Sequence, residues 1–159
     1  MIFNFLKPKP VIELAWVLPG RLAVGEAPNH NHVEILKEVE IEAVLGLCAE
    51  SEVPWPATIT KNFQCQRFPL PDSHYAEPLT VAALSQAVSL LKSNLDQGLN
   101  TYIHCQAGVE RSPTVCLAYL CRYQNLELMD ALQWVKRVNP RTAIIPAQLE
   151  AVRQFITTN

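Results

Sequence analysis

The stretch HCQAGVERSP, residues 104–113, holds a cysteine and an arginine at a spacing that suits nucleophilic chemistry on an anion. Cysteine reacts as its thiolate, and helix N-termini or basic neighbours lower the thiol pKa from about 8.5 to between roughly 3.5 and 7.5. Arg111 follows Cys105, and its planar guanidinium can hold two oxygens of a tetrahedral oxyanion. The same spacing recurs at Cys116 and Arg122, so spacing alone does not identify a site.

The context of Cys105 distinguishes it from the second cysteine. The segment NTYIHC (100–105) is strand-like, and a helix is predicted to start at Ser112-Pro113, since proline is favoured in a first helical turn. Backbone N–H groups of the intervening loop and the helix N-terminus would form a nest for phosphate, with Gly108 supplying a positive φ. Cys116 lies in an almost wholly apolar helix, where a cysteine is a small core residue. The predicted phosphate-binding residues are Gln106, Ala107, Gly108, Val109, Glu110 and Arg111.

Phosphoryl transfer from an alcohol or phenol also needs a general acid, because the departing oxygen must be protonated. Asp72, in PLPDSHYAEP, follows a strand-like segment, and its loop should emerge at the same sheet edge as Cys105. Glu77 in that loop is the second candidate, and His74 is typical of a turn. Asp96 is more typical of a solvated helix end. Aspartate after proline is also an ordinary turn former, so the residues alone leave the choice open.

The whole chain alternates between strand-like and helix-like patterns. Strands are predicted at Val11–Val17, Leu22–Val24, 42–48, 63–70 and 100–105. Helices are predicted at Val33–Glu40 with Asn31 as its cap, Leu79–Asp96, from Ser112-Pro113 onward, Leu126–Arg137 and Pro146–Thr157. This order predicts an α/β fold with a central, mostly parallel sheet of about four to five strands flanked by helices. The site should lie at the carboxyl ends of the strands.

Composition narrows the class of protein. The 159 residues, 49% hydrophobic and 18% charged, predict one globular domain over 1–159, with 1–10 as a loosely ordered segment. A net charge of −2 disfavours nucleic acid, and the apolar runs are too short to span a membrane. The N-terminal pattern does not suit a secretory signal, and five cysteines favour free thiols in the cytoplasm. No metal-ligand spacing appears among the histidines, and oligomeric state has no signal in the sequence.

The stretch HCQAGVERSPT resembles the signature of the cysteine-dependent protein tyrosine phosphatase superfamily, and its Ser-Pro-Thr ending resembles the dual-specificity branch. The resemblance covers about residues 11–157, including RTAIIPAQLEAVRQF. It implies that Cys105 forms a phosphocysteine, that Arg111 and loop amides hold the phosphoryl oxygens, and that Asp72 is the acid and then the base. Ser112 is expected to assist release of the thiolate, and His104 to orient the loop. The resemblance implies no metal and no cofactor.

The segment around a second cysteine, Cys48, also resembles a segment of this superfamily. The segment LCAE, with Cys48, is similar to the one that bears a disulfide-forming cysteine in some lipid phosphatases of this superfamily. If strands 42–48 and 100–105 are neighbours, Cys48 would form a reversible disulfide with Cys105. The alternative is a buried core thiol.

The loop composition bears on the substrate. Phosphoinositide-cleaving relatives commonly carry lysine or arginine in the loop, whereas Glu110 here would repel additional phosphates. The predicted substrates are phosphotyrosine and phosphoserine or phosphothreonine on proteins. A monophosphate lipid or sugar also fits, because IPAQLEAVRQF resembles mitochondrial-type phosphatidylglycerophosphate phosphatases.

Two other classes share part of the pattern. A rhodanese-like sulfur transferase also uses a cysteine loop before a helix, but it has no need of Asp72. A non-catalytic phosphopeptide-binding module typically loses the cysteine that is kept here as Cys105.

Overall fold

The computed structural model describes residues 8–73 and 77–158, so that His74 lies outside the described residues. Within those ranges, five short strands form one sheet in the order β1-β2-β5-β3-β4. β1 and β2 form an antiparallel hairpin, and every other neighbouring pair is parallel. This confirms the predicted α/β class and its mostly parallel sheet. The strands are β1 (Leu14–Leu18), β2 (Leu22–Gly25), β3 (Ala43–Gly46), β4 (Gln64–Arg67) and β5 (Thr101–His104).

Helices cover both faces of the sheet. Side chains alternate along the central strand β5, so Tyr102 contributes to the core beneath the two short helices and Ile103 to the larger core beneath the four long ones. The helices are α1 (Val33–Glu38), preceded by a 3-10 turn (His30–His32), α2 (Ala57–Asn62), α3 (Val81–Asp96), α4 (Arg111–Tyr123), α5 (Leu128–Val138) and α6 (Pro146–Thr157). None of the helices in the described ranges has the length and apolar character needed to cross a bilayer.

The helix predicted over 79–96 forms as α3, and both its apolar spacing and its first-turn cap are local features of the sequence. Leu84, Val88, Leu91 and Leu95 follow helical spacing, and all of them are buried against the sheet. The Thr80 hydroxyl accepts a hydrogen bond from the N–H of Ala83 at 3.1 Å and caps the first turn.

Several local expectations were wrong. The side chain of Asn29, not of Asn31, accepts the capping hydrogen bond before the first helical turn. The helix α2 was not predicted, because its sequence ATITKN contains β-branched residues of modest helix propensity. Its formation depends on tertiary packing, with Ile59 wholly buried. The strands β3 and β4 are also shorter than predicted, which leaves Cys48 in a loop beyond Gly46.

The sheet register sets the position of the candidate site. Gly46 of β3 is paired with both His104 of β5 and Arg67 of β4, so these three parallel strands end at the same level. Their following loops therefore meet at one edge, where ligands bind in open α/β sheets. Those loops carry Cys48, Asp72 and Cys105.

Candidate active site

In the loop from 105 to 110, backbone carbonyl oxygens accept hydrogen bonds from the surrounding segments of the chain. The backbone N–H groups of the loop therefore face its interior, where the Cys105 sulfur lies. The backbone N–H groups of Ser112, Glu110 and Gly108 face the sulfur of Cys105 and lower the pKa of its thiol. This is the arrangement of an anion nest. The outer bonds run from Ala27 N to Gln106 O at 2.9 Å, from Asn139 Nδ2 to Gly108 O at 2.9 Å, and from Ala143 N to Val109 O at 2.8 Å.

The conformation of the loop requires a glycine at position 108. Its φ is 70°, in the left-handed region that the sequence predicted for this position. A Cβ built there would lie 2.4 Å from the backbone carbonyl carbon of Gly25. Any larger residue would therefore push the loop away from strand β2.

Cys105 combines burial with stabilisation of its charged form. The side chain is 3% exposed, and its sulfur lies 3.2 Å from the Ser112 hydroxyl oxygen. Burial alone would raise the pKa of the Cys105 thiol. The Ser112 hydroxyl and the loop N–H groups outweigh that effect, so the pKa lies below its ordinary value. The site thus favours the nucleophilic thiolate.

Arg111, the first residue of α4, is locked in place by a residue that the sequence analysis missed. Its Nη1 donates to Glu52 Oε2 at 3.0 Å and its Nη2 to Glu52 Oε1 at 2.5 Å, while Leu70 O accepts from Nη1 at 3.3 Å. The hydrogen bonds from Arg111 lower the pKa of Glu52. A buried arginine needs an anionic partner, but Glu50, Glu52 and Asp72 all follow strands at this edge, and the sequence does not choose among them.

Asp72 lies in the same cavity as Cys105. Its Oδ2 is 3.8 Å from Arg111 Nη2, and its side chain is 20% exposed. The cavity has a volume of about 220 Å³ and is lined by Asp72, Cys105, Gln106, Ala107, Val109, Glu110 and Arg111.

The other two candidate acids are placed differently. Glu77 borders a neighbouring groove of about 530 Å³ that Asp72 also lines. Asp96 is at the end of α3, where it forms an ion pair with Lys92. Of the three carboxylates, Asp72 is the one that shares a cavity with Cys105, and its role as the acid stays a prediction.

His104 is fully buried beneath the loop and is oriented by Trp55, another residue that the sequence analysis missed. The indole N–H of Trp55 donates to His104 Nε2 at 2.9 Å, so the ring proton is on Nδ1, which donates to the Cys105 carbonyl oxygen at 2.8 Å. Burial lowers the pKa of His104 to about 4 and keeps the ring neutral. A Cβ on Gly46 would lie 2.6 Å from Trp55, so the glycine allows the indole to approach.

Glu110 precedes α4, and both oxygens of its carboxylate accept hydrogen bonds from other segments of the chain. Oε2 accepts from Ser73 Oγ at 2.5 Å, and Oε1 accepts from Gln148 Nε2 at 2.5 Å. Glu110 also lines the cavity, and the effect of its charge on additional phosphates stays a prediction.

Cys48 lies buried near the site, since β3 and β5 are neighbours as the disulfide hypothesis required. Burial raises the pKa of the Cys48 thiol to about 12, and a hydrogen bond to Glu52 adds to the effect. Cys48 is therefore a neutral thiol at neutral pH. Its disulfide with Cys105 stays a prediction.

Comparison with known proteins gives relatives of two kinds. The phosphatidylglycerophosphate phosphatase PTPMT2 of Arabidopsis thaliana is 26% identical over 157 residues, which cover 98% of this chain and 69% of the relative. Dual specificity protein phosphatase 1-A of Xenopus laevis is 30% identical over 135 residues, which cover 85% of this chain and 34% of the relative. The chain thus spans between one third and about two thirds of the length of these curated relatives.

Solved structures share the fold. Tk-PTP in its active form matches with a TM-score of 0.80 at 23% identity, over 92% of this chain and 98% of that one. PTPMT1 in complex with PI(5)P matches with a TM-score of 0.75 at 22% identity, over 86% of this chain and 90% of that one.

The family model that describes the catalytic domain of dual specificity phosphatases matches residues 22–157. That range contains four of the five strands, β2 to β5, together with the nest around Cys105 and the loop with Asp72. Membership of this family removes the rhodanese-like alternative. The chain belongs to the dual specificity phosphatase family, a branch of the cysteine-dependent protein tyrosine phosphatases.

Proposed function

We propose that this chain hydrolyses phosphomonoesters through a phosphocysteine on Cys105, and that its substrates are phosphotyrosine and phosphoserine or phosphothreonine in proteins. One observation carries the proposal: the nucleophile, the guanidinium of Arg111 and the carboxylate of Asp72 line a single cavity of about 220 Å³. A cavity of this size suits a single phosphoryl group and its ester oxygen.

In the first step the Cys105 thiolate attacks phosphorus, and the bond from phosphorus to the ester oxygen breaks. Protonated Asp72 donates its proton to that oxygen, while Arg111 and the loop N–H groups bind the three remaining oxygens. In the second step a water attacks the phosphocysteine, Asp72 accepts the water proton, and inorganic phosphate leaves. The Ser112 hydroxyl, 3.2 Å from the sulfur, donates to the thiolate as it is released.

The charges around the cavity support a substrate with a single phosphate. Glu110 at its wall disfavours a neighbouring phosphate, and the loop itself contributes Arg111 as its basic residue. A protein phosphoresidue satisfies this condition. The five free thiols support a reducing compartment, so a cytoplasmic location is part of the same proposal.

A second candidate substrate class is a lipid monophosphate. It is favoured by the phosphatidylglycerophosphate phosphatase of Arabidopsis thaliana, whose match extends over 98% of this chain. Its single terminal phosphomonoester also satisfies the charge condition at Glu110. A sugar monophosphate satisfies it as well, without support from a relative.

The chemistry is tested with p-nitrophenyl phosphate and three proteins: the unaltered chain, Cys105→Ser and Asp72→Asn. We expect no turnover by Cys105→Ser. For Asp72→Asn we expect a small loss with p-nitrophenyl phosphate, whose leaving group is good, and a loss of about 10²- to 10⁴-fold with phenyl phosphate, whose leaving group is poor. Undiminished turnover by Cys105→Ser would refute the phosphocysteine mechanism. Absence of turnover by the unaltered chain would favour the binding-module alternative.

The substrate class is tested by comparing kcat/KM for phosphotyrosine peptides, phosphoserine or phosphothreonine peptides, sugar monophosphates, and phosphatidylglycerophosphate in mixed micelles. Higher kcat/KM for the peptides supports the protein substrate. Higher kcat/KM for the lipid, retained in a water-soluble short-chain analogue, would replace it with the second candidate.

A further inference from the structure

Glu110 connects the loop that holds the nucleophile to the loop that carries Asp72. On one side Ser73 Oγ donates to Glu110 Oε2 at 2.5 Å. On the other side Gln148 Nε2 donates to Glu110 Oε1 at 2.5 Å. Both oxygens of one carboxylate are thus used to join three separate segments of the chain.

The Gln148 end of this bridge is fixed. Gln148, in the first turn of α6, is 4% exposed, and its amide oxygen accepts from the N–H of Ile145 at 3.3 Å. This bond determines which end of the amide faces Glu110, so its NH₂ group points at the carboxylate. A buried glutamine held at both ends is a firm support.

The backbone of Glu110 is fixed on the nucleophile side. Its carbonyl oxygen accepts from the Thr114 hydroxyl at 2.8 Å and from the Thr114 N–H at 3.0 Å, while its own N–H faces the Cys105 sulfur. The residue therefore belongs rigidly to the nest, and only its side chain extends to the other loop.

The bridge ends on Ser73, the residue next to Asp72, and consecutive Cα atoms are 3.8 Å apart. Asp72 itself lies 3.8 Å from Arg111. A bound phosphoryl group must take the Arg111 donors, and it competes with Asp72 for them. The bond from Ser73 to Glu110 uses no group that the phosphate needs, so it persists when the cavity is filled.

We propose that Glu110 is a positioning residue that holds the loop of Asp72 over Cys105 while substrate is bound. The carboxylate bridge from Ser73 to Gln148 sets the distance between acid and nucleophile. This inference rests on the proposed function, in particular on Asp72 as the general acid. It adds a second role to the charge of Glu110, which also disfavours a second phosphate.

The test uses aryl phosphates with a series of leaving-group pKa values, because an ester with a good leaving group needs little acid assistance and one with a poor leaving group needs it fully. Glu110→Gln keeps the size of the side chain, but its NH₂ group must face one of the two donors, Ser73 or Gln148. We expect kcat/KM to fall by about 10- to 100-fold for phenyl phosphate, as a displacement on the order of 1 Å would cause, and to change little for the best leaving group.

Ser73→Ala removes the hydroxyl that donates to Glu110, so it should also make kcat/KM depend more steeply on the leaving-group pKa. This variant keeps the test valid if Glu110→Gln does not fold. Glu150→Gln is the matched control, since Glu150 is an exposed carboxylate of α6 that pairs with Arg153 at 3.0 Å. It should leave kcat/KM unchanged across the series. The double variant Glu110→Gln/Asp72→Asn should be barely slower than Asp72→Asn, because the bridge acts through Asp72.

The outcomes separate this inference from the proposed function. A steeper leaving-group dependence in Asp72→Asn but an even loss, or no loss, across the series in Glu110→Gln and Ser73→Ala would overturn the positioning role alone. A loss of kcat/KM that is equal for all leaving groups would mean that Glu110 supports the loop around Cys105 and not the loop of Asp72. If Asp72→Asn shows the same leaving-group dependence as the unaltered chain, the acid assignment is wrong and the positioning role falls with it.

Discussion

The paired hydrogen bonds between Glu52 and Arg111 predict that Glu52→Gln weakens both the fold and the reaction. Arg111 is 5% exposed, and its two bonds to the carboxylate measure 3.0 and 2.5 Å. Gln keeps one acceptor oxygen, so the substitution removes one charge-assisted bond and the negative charge. Such a bond contributes about 1.5–3 kcal/mol. The roughly 3–5 kcal/mol range for a broken buried pair is an upper limit here, because Glu52 is partly exposed to water, so a loss of about 1.5–3 kcal/mol is expected.

For a domain of this size, a loss of 1 kcal/mol lowers Tm by about 2–4 °C, so Tm should fall by about 3–12 °C. Arg111 would also lose the support that aims its fork at the phosphate. If all of that free energy is lost from the transition state, kcat/KM falls by about 10- to 100-fold, at 1.4 kcal/mol per decade. Scanning fluorimetry and steady-state hydrolysis of p-nitrophenyl phosphate measure the two effects.

The stability that the Glu52–Arg111 pair contributes should depend on pH. Arg111 lowers the pKa of Glu52 in the folded chain. The stability from this pair is therefore fully present above the unfolded pKa of about 4.3, and it is lost as pH falls through the lower folded pKa. The difference in Tm between the unaltered chain and Glu52→Gln should be constant near neutral pH and should shrink below about pH 4.3.

Glu50→Gln is the matched control. Glu50 lies in the same loop, but its side chain is 68% exposed and pairs with Arg67 at 2.7 Å, away from Arg111. Because Glu50 is mostly exposed to water, this pair should contribute about 0–1 kcal/mol, so Tm and kcat/KM should hardly change. Full activity in Glu52→Gln, or an equal loss in Glu50→Gln, would contradict the assigned role of Glu52.

Three further predictions concern the sulfur and its supports. Ser112→Ala removes the hydroxyl 3.2 Å from the Cys105 sulfur, so the pKa of Cys105 should rise. The pH profile of iodoacetamide alkylation should then move to higher pH, and an unmoved profile would contradict the hydrogen bond. Burial lowers the pKa of His104 to about 4. The unaltered chain should therefore lose about 3 kcal/mol of stability as pH falls from 6.5 to 4, a slope that urea unfolding should not find in His104→Gln. With mild peroxide, the Cys105 thiolate should become a sulfenic acid that condenses with the Cys48 thiol and releases water. Mass spectrometry should find the linked peptide in protein that dithiothreitol reactivates; absence of that peptide would refute the disulfide.

The parts of this molecule that the sequence predicted are those with local causes. The strand before Cys105, the left-handed glycine and the start of α4 depend on a few consecutive residues, and they lie close to where the pattern placed them. The mostly parallel character of the sheet followed from alternating strands and helices, because parallel strands need crossover helices. Helix α2 is different, since its six residues form a helix through burial of Ile59 and not through propensity.

The supports of the site depend on contacts between distant parts of the chain. Glu52 is 59 positions from Arg111, Trp55 is 49 positions from His104, and Gln148 is 38 positions from Glu110. Each partner is an ordinary loop or helix residue in the sequence, and nothing near it signals its role. The requirement for a partner could be predicted, because buried charges and imidazoles must be paired. Its identity depends on side-chain placement that the sequence pattern does not contain.

The repeated spacing of cysteine and arginine shows what separates a reactive cysteine from a core cysteine. Cys116 and Arg122 lie within α4, where every backbone N–H beyond the first turn is used by the helix itself and none is left for a sulfur. Burial raises the pKa of Cys116, and Arg122 extends to the carbonyl oxygens of Phe155 and Thr158 at the end of α6. Cys105 is nearly as buried, yet its pKa is lowered, because the loop before α4 turns its N–H groups toward the sulfur. Burial therefore does not decide between the two thiols. The decisive difference is whether the backbone donors around the sulfur are already used, and that depends on the glycine and the helix start, not on the distance to an arginine.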